Sequence, residues 1–296
     1  MAARPAPTPA PAGPAARTAP KTHRGEVLRT ERLTPGMQRV VLGGAGLDHF
    51  TVGDYTDHYI KLLFPIEGVR YPEPFDIRRI RADFPRDKWP AQRTYTVRGW
   101  DAERRELTVD FVVHGDEGLA GPWAMRARPG DVLHFGGPGG GYAPRADADW
   151  HLLAGDESAL PAIAASLERL PAGATAHAFV EVAGPEEEQQ INAPDGARIT
   201  WLHRDDRPVG AALTEAVRKL DFPAGEVQAF VHGEAGFVKD LRHYLRIERE
   251  VPRERLSISG YWRLGHNEDG WQATKRDWNT QVEAEQEPAT ALPTAS

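Results

Sequence analysis

Arg93, Tyr95 and Thr96 lie in the stretch Arg93-Thr94-Tyr95-Thr96-Val97-Arg98, between a Pro-containing loop and Gly99. The stretch reads as a short strand. Side chains alternate along a strand, so Arg93 and Tyr95 share one face and Thr96 points the other way. A cation, a flat aromatic ring and a small hydroxyl side by side suit a ligand with a phosphate and a planar ring, and a flavin nucleotide is such a ligand. The same three residues would equally serve a barrel strand with an exposed ion pair and a core tyrosine.

Further residues have spacings that fit ligand chemistry. Asp110, Val112 and His114 are two apart and fall on one strand face. Gly121-Pro122-Trp123-Ala124 reads as the opening of a short helix with Pro near its first turn, where backbone N–H groups favour phosphate oxygens. Gly136–Gly141 (GGPGGG) lacks the Lys-Ser/Thr ending of a phosphate-binding loop and the strand–turn–helix setting of a dinucleotide fingerprint. It reads as a turn-rich exit from a barrel.

The elements that must position these residues fall into two patterns. From about His23 to Arg145 the chain is β-rich. Strands are expected at 25–33, 37–43, 58–64, 93–98, 106–113 and 131–135, separated by Gly, Pro and Asp signals, which predicts an antiparallel barrel. A long polar excursion, 66–92, interrupts it, and a loop of that length is usually functional or mobile.

Near Trp150 strands begin to alternate with helices. Strands are expected at 150–154, 176–182, 198–203, 227–232 and 256–261, with helices at 159–170, 209–220 and 237–250, the last burying Phe237, Leu241, Tyr244 and Leu245 on one face. This predicts a parallel sheet covered on both faces. Such sheets take ligands beyond the carboxyl ends of their strands. Gly155-Asp156-Glu157-Ser158, Arg204–Arg207, and Gly233-Glu234 with Gly236 occupy those ends. An amphipathic helix is expected at about 271–283. The Ala/Pro-rich stretch 1–22 and the end 284–296 read as flexible tails. The resulting domains are 23–145, 150–265 and a C-terminal helical segment, 266–283.

Composition removes several classes. There is no cysteine, so disulfides, thiolate iron–sulfur ligation and cysteine nucleophiles are excluded. The 11 histidines include no HExxH pairing, so no metal site is expected. Thirty-six Lys and Arg against 43 Asp and Glu give a net charge of -7, which argues against a general nucleic-acid binder. No apolar run approaches the roughly 20 residues that span a bilayer. The N-terminus lacks the charged and apolar regions of a secretory signal. A cytoplasmic monomer is the expectation.

Arg93-x-Tyr95-Thr96 resembles the flavin signature of the ferredoxin-reductase-like superfamily. The segments HYIKLLFP (58–65), DFVVHG (110–115), GPWAM (121–125), GDESALPAI (155–163), HGEAGFVKDL (232–241) and SISGYWRLGHNEDGWQATKRDW (257–278) resemble one branch of it. That branch is the siderophore-interacting proteins, or ferric-siderophore reductases. The resemblance spans about residues 23 to 280, and its last segment is the most specific. It implies an N-terminal antiparallel FAD-binding β-barrel followed by a C-terminal parallel-sheet NAD(P)-binding α/β domain.

The resemblance further implies a role for each site. Arg93 would reach the FAD pyrophosphate, Tyr95 would pack on the isoalloxazine and Thr96 would lie near N5. The strand of Asp110, Val112 and His114 would run beside the ribityl and adenosine parts. Gly121, Trp123 and Ala124 would supply a second pyrophosphate contact. Asp156, Glu157, Ser158, Gly233 and Glu234 would approach the nicotinamide nucleotide. Arg204, with Arg207, would take the 2′-phosphate of NADPH or else sit in a solvated loop. Lys61, Lys275 and Arg276, with Arg263, would line a basic pocket for an anionic ferric siderophore, or the last two would be a solvated helix face. The missing GxGxxG leaves the dinucleotide half with weaker signals than the flavin half.

The implied reaction passes a hydride from NADPH (or NADH) to the flavin and then single electrons to Fe(III). No side chain need act as a nucleophile. Alternatives are a reduced ferredoxin as donor, a non-catalytic carrier of flavin or siderophore, and a general flavin reductase that releases its flavin.

Overall fold

The computed structural model describes residues 21–116 and 118–286. Residues 1–20 of the expected N-terminal tail and 287–296 of the expected C-terminal one lie outside them, while Thr22 already belongs to the first strand. Seven strands, β1 (Thr22–Thr34), β2 (Met37–Gly43), β3 (Tyr59–Phe64), β4 (Ala91–Thr96), β5 (Gly99–Asp101), β6 (Glu106–Val112) and β7 (Val132–Gly139), form one sheet. The order is β4-β3-β7-β1-β2-β6-β5 and every pairing is antiparallel. Alternation drives it: in β3, Ile60 and Leu62 are fully buried while Tyr59 and Lys61 are half-buried. The core collects Leu42, Ile60, Leu62, Val109, Phe111 and Phe135.

The antiparallel, barrel-like half expected from sequence is present, with no ladder closing it. Its two edge strands, β4 and β5, are consecutive in the chain and joined by Val97-Arg98. The Val97 N–H donates to His58 O (2.7 Å) and the Arg98 N–H to Thr108 O (2.9 Å). One of these bonds reaches the residue before β3 and the other reaches β6, and no ladder joins β4 to β5.

Three expectations change here. The excursion 66–92 contains a helix, α1 (Ile77–Asp83), capped by the Asp76 side chain accepting from the Arg78 N–H. Gly136–Gly139 belongs to β7 and pairs with β1 and β3, so the glycine run begins inside the sheet. Two of its glycines are needed there: Gly137 has φ +127°, and a Cβ on Gly139 would stand 2.4 Å from the Tyr59 ring. Strand β6 ends at Val112, leaving His114 exposed in the loop before α2 (Ala120–Arg126).

The second sheet holds β8 (Trp150–Gly155), β9 (Thr175–Val182), β10 (Ala197–His203), β11 (Val227–Glu234) and β12 (Leu256–Trp262), all parallel, in the order β10-β9-β8-β11-β12. Helices α3 (Leu160–Glu168), α4 (Ala211–Lys219) and α5 (Ala235–His243) cover its faces. Both faces of β8 and β11 are buried, as fits a doubly covered parallel sheet. Phe237, Leu241, Tyr244 and Leu245 are buried together, although α5 gives way to a π-turn over Tyr244–Glu248. The final helix, α6 (Glu268–Gln286), is longer than expected at both ends. Its Trp271 is fully buried, and a Cβ on Gly260 of β12 would meet that ring at 3.1 Å.

The two sheets share a core. Met37 and Tyr142 from the first half are buried among Leu153, Ile163, Val180 and Phe230 of the second. Thr56 and Ser166 hydroxyls hydrogen-bond at 2.8 Å, the Thr34 hydroxyl donates to Glu187, and Arg98 grips Glu168 at 2.7 and 2.8 Å. Among the described residues no helix is long and apolar enough to cross a membrane, and no cluster of His, Asp or Glu could hold a metal ion.

Candidate functional site

The register of β3 against β4 sets the site. Lys61 pairs with Thr94, Leu62 with Arg93 and Tyr59 with Thr96, so Arg93 and Tyr95 share one face and Lys61 and Thr96 the other. The Tyr95 ring leans on Phe111 (4.5 Å between centroids), and Phe111 touches Trp123 of α2 (5.7 Å). Burial, with Glu268 adding to it, raises the Tyr95 phenol well above its ordinary range. Thr96 is buried, yet no described residue hydrogen-bonds its hydroxyl or that of Tyr95. A bidentate cation, a half-buried ring and two unspent hydroxyls on adjacent residues match the donor set a flavin dinucleotide needs.

The Arg93 fork, however, holds the chain's own carboxylates. Nη1 and Nη2 donate to Asp269 at 3.1 and 3.2 Å, Nη1 also donates to Gln92 O, and Nε stands 3.5 Å from Glu268. Glu268 accepts from the Thr94 N–H at 2.9 Å. Burial raises the Glu268 carboxyl above its ordinary value, against the pull of the Thr94 N–H, Arg93 and Lys61. Burial likewise lowers the Lys275 ammonium, and neighbouring Lys61 lowers it further. Lys61 and Lys275 thus belong to one electrostatic cluster with Arg93 and Glu268. Arg276, the next residue on α6, is exposed and outside it, and Arg263 is half-buried, followed by an exposed loop at 264–267. Glu268 and Asp269 carry no signal of their own in the sequence beyond an acidic pair ahead of an amphipathic helix, inside the segment 257–278.

Elsewhere in the first half, Asp110 is fully engaged. It accepts from Arg39 Nε and Nη2 at 2.7 and 2.8 Å and stands 3.7 Å from Arg98. Val112 packs into the shared core. Gly121 and Ala124 are buried in α2, whose seven residues carry no side-chain cap at their start. A Cβ on Gly121 would stand 3.1 Å from Val112 O, so the glycine lets α2 close onto β6.

In the second sheet β8 lies between β9 and β11, so the strand order reverses between β8 and β11. Their carboxyl ends hold Asp156 and Glu234, where doubly wound folds bind ligands. Asp156 is turned inward. It accepts from the Ser158 N–H (3.0 Å), the Ser158 hydroxyl (2.5 Å), the Glu234 N–H (2.8 Å) and the Trp262 indole (2.8 Å). Burial pushes its carboxyl up to about 6, against the pull of those donors. Glu234 caps α5 by accepting from the Gly236 N–H. Gly233 has φ +138°, and a Cβ there would lie 2.7 Å from Asp156 Cγ, so it is required for the close approach of the two strand ends. Arg204 donates Nε to Glu181 (3.0 Å) and Nη2 to Glu157 (2.7 and 2.8 Å), while Arg207 pairs with Glu215. Both arginines at the end of β10 therefore meet carboxylates.

Two family models cover most of the chain. Siderophore-interacting FAD-binding domain matches residues 26–142, and Siderophore-interacting protein matches residues 148–265. The chain belongs to the siderophore-interacting protein family. Ferric vibriobactin reductase ViuB of Vibrio cholerae serotype O1 is 36% identical over 83% of this chain and 91% of its own length. The NADPH-dependent ferric-chelate reductase of Escherichia coli is 35% identical over 80% and 91%. Among solved structures, a siderophore utilization protein from T. fusca superposes with a TM-score of 0.73 at 39% identity, over 85% of this chain and 96% of that one. SipS, the siderophore-interacting protein of Aeromonas hydrophila, gives 0.75 at 28%, over 88% and 99%. The ferredoxin–NADP+ reductase of Plasmodium falciparum, at 11% identity and a TM-score of 0.60 over 81% and 96%, shares the fold.

Proposed function

We propose that the chain is an FAD-containing, NAD(P)H-dependent ferric-siderophore reductase. One observation carries this reading within the family: the β4 edge brings the Arg93 fork and the unspent Tyr95 and Thr96 hydroxyls next to the Lys61–Lys275 pair. Relatives named as ferric reductases, matched over 83% and 80% of this chain, support it.

FAD, when bound, would supply the redox chemistry that couples a two-electron hydride donor to one-electron reduction of Fe(III). The side chains position and attract. Arg93 would hold the pyrophosphate, Tyr95 would pack on the ring and Thr96 would border it. Lys61 and Lys275 raise the local concentration of an anionic chelate despite the net charge of -7. Asp110 serves by fixing Arg39 and Arg98 behind that strand. Iron reduced to Fe(II) is a poorer partner for hard-oxygen donors and leaves.

Residues 23–145 form the flavin half, 150–265 the nicotinamide half and 266–283 a closing segment. NADPH rather than ferredoxin is the donor, with Asp156, Glu157, Ser158, Gly233 and Glu234 at its mouth. Arg204 reaches a 2′-phosphate only by exchanging Glu157. The protein works as a monomer in the cytoplasm.

The test is a visible spectrum. The purified protein should be yellow, should bleach on adding NADPH without oxygen, and should then yield Fe(II) to a ferrous-specific dye when a ferric tris-hydroxamate is added. Protein that is colourless and takes up no FAD overturns the reading. Bleaching only by reduced ferredoxin replaces the donor, and no Fe(II) with either donor makes the protein a carrier.

A further inference from the structure

We propose that the first turn of α6 is a tethered anion occupying the seat of the FAD pyrophosphate, so that FAD loading releases Glu268 and Asp269 from Arg93. This rests on the assignment of Arg93 above.

The contacts leave Arg93 little to offer a phosphate. A guanidinium has five N–H donors in a planar fork. Asp269 fills the paired Nη positions, Gln92 O takes a further Nη1 donor and Glu268 faces Nε. A carboxylate fills such a fork in the way a phosphate does, so the two anions are alternatives on one cation. The Thr94 backbone N–H, a second donor at the same spot, is also spent on Glu268. The Arg93 side chain is 13% exposed, whereas Asp269 is 66% exposed. The cation is built in and its partner is at the rim.

The turn can yield without the helix leaving. The body of α6 is anchored by Trp271 and Val282, which are buried, and by Arg242 donating to Gln286. Ahead of the acidic pair, Gly265 has φ +77° with nothing within 4 Å of a Cβ built on it. The turn itself is held by Asn267, whose side chain accepts from the Gly270 N–H (2.8 Å) and whose carbonyl accepts from the Trp271 N–H (2.9 Å). Movement therefore pivots between Gly265 and Gly270. Lys61 and Lys275 already act on the Glu268 charge, so the displaced carboxylate keeps cationic neighbours.

The test uses the full chain freed of flavin. FAD and riboflavin, which lacks the phosphates, are titrated by flavin fluorescence into wild type, Glu268→Gln, Asp269→Asn and the double variant. Competition predicts FAD binding tighter by about fivefold in the double variant, as expected for removing two partly exposed ion-pair partners, and riboflavin binding unchanged. Hydrogen exchange of wild type provides a readout that needs no variant: amides of residues 264–270 should exchange faster with FAD than without it, and riboflavin should leave them alone. Unchanged or weaker FAD binding in the variants, or slower exchange of the turn with FAD, overturns the competition. Absence of FAD binding by wild type and variants alike overturns the flavin site itself, which is a separate failure.

Discussion

Arg93 is the residue on which most of the proposed chemistry turns. Its guanidinium is nearly enclosed and paired with two carboxylates and a backbone carbonyl, which is the environment a dinucleotide phosphate also requires. Arg93→Ala is expected to lower FAD affinity by about tenfold, the scale of one lost charge-assisted contact, measured as flavin retained through dialysis. Lys61→Ala and Lys275→Ala are expected to raise KM for an anionic ferric chelate several-fold while leaving the rate of flavin reduction by NADPH unchanged. Equal KM values in wild type and both variants would remove the basic pocket. The Arg-x-Tyr-Thr spacing was legible because strand alternation is local. Its partner was not, because Asp269 lies 176 residues away and only the tertiary fold brings α6 across β4.

At the level of elements, the carboxyl ends of β8 and β11 are tied together by Asp156. Its carboxyl titrates near 3.8 when solvated and about 6 when folded. Below the first value both states are protonated. As pH rises from about 4 to about 6 the unfolded chain ionises first, so Asp156 withdraws stability across that window and nothing more above it. Asp156→Asn cannot ionise. Its melting temperature relative to wild type should rise between pH 4 and pH 6, corresponding to about 3 kcal/mol. A constant offset from altered hydrogen bonding would not follow pH, and a flat difference would show that the carboxyl titrates normally. The alternation of strand and helix that builds this tie was readable, because the periods 2 and 3.6 differ within a few residues. Gly136–Gly139 was not readable as strand, since its pairing is supplied by β1 and β3 from far earlier in the chain. Helix α1 was missed because its arginines mask the two buried positions, Ile77 and Ile80.

Across the whole molecule the halves are less separable than their different sheets imply. Met37 and Tyr142 fill the second core, and Arg98–Glu168 and Thr56–Ser166 bridge the seam. A fragment holding only residues 148–286 leaves that apolar surface bare. It is expected to bind an apolar fluorescent dye that the full chain does not bind, and to melt well below it. Equal dye binding by fragment and full chain would show that the halves stand independently. The class of each half was visible in the sequence, but the side chains exchanged between them were not, because a buried Met or Tyr looks the same in either core.

The Glu268 contact to the Thr94 amide has one more effect for as long as the turn stays docked. Strand β4 ends the sheet, and a terminal strand with bare amides recruits strands from other molecules. By spending one of those amides, the start of α6 spoils the template, so loss of the helix would convert a well-behaved solute into one that clumps as its concentration rises.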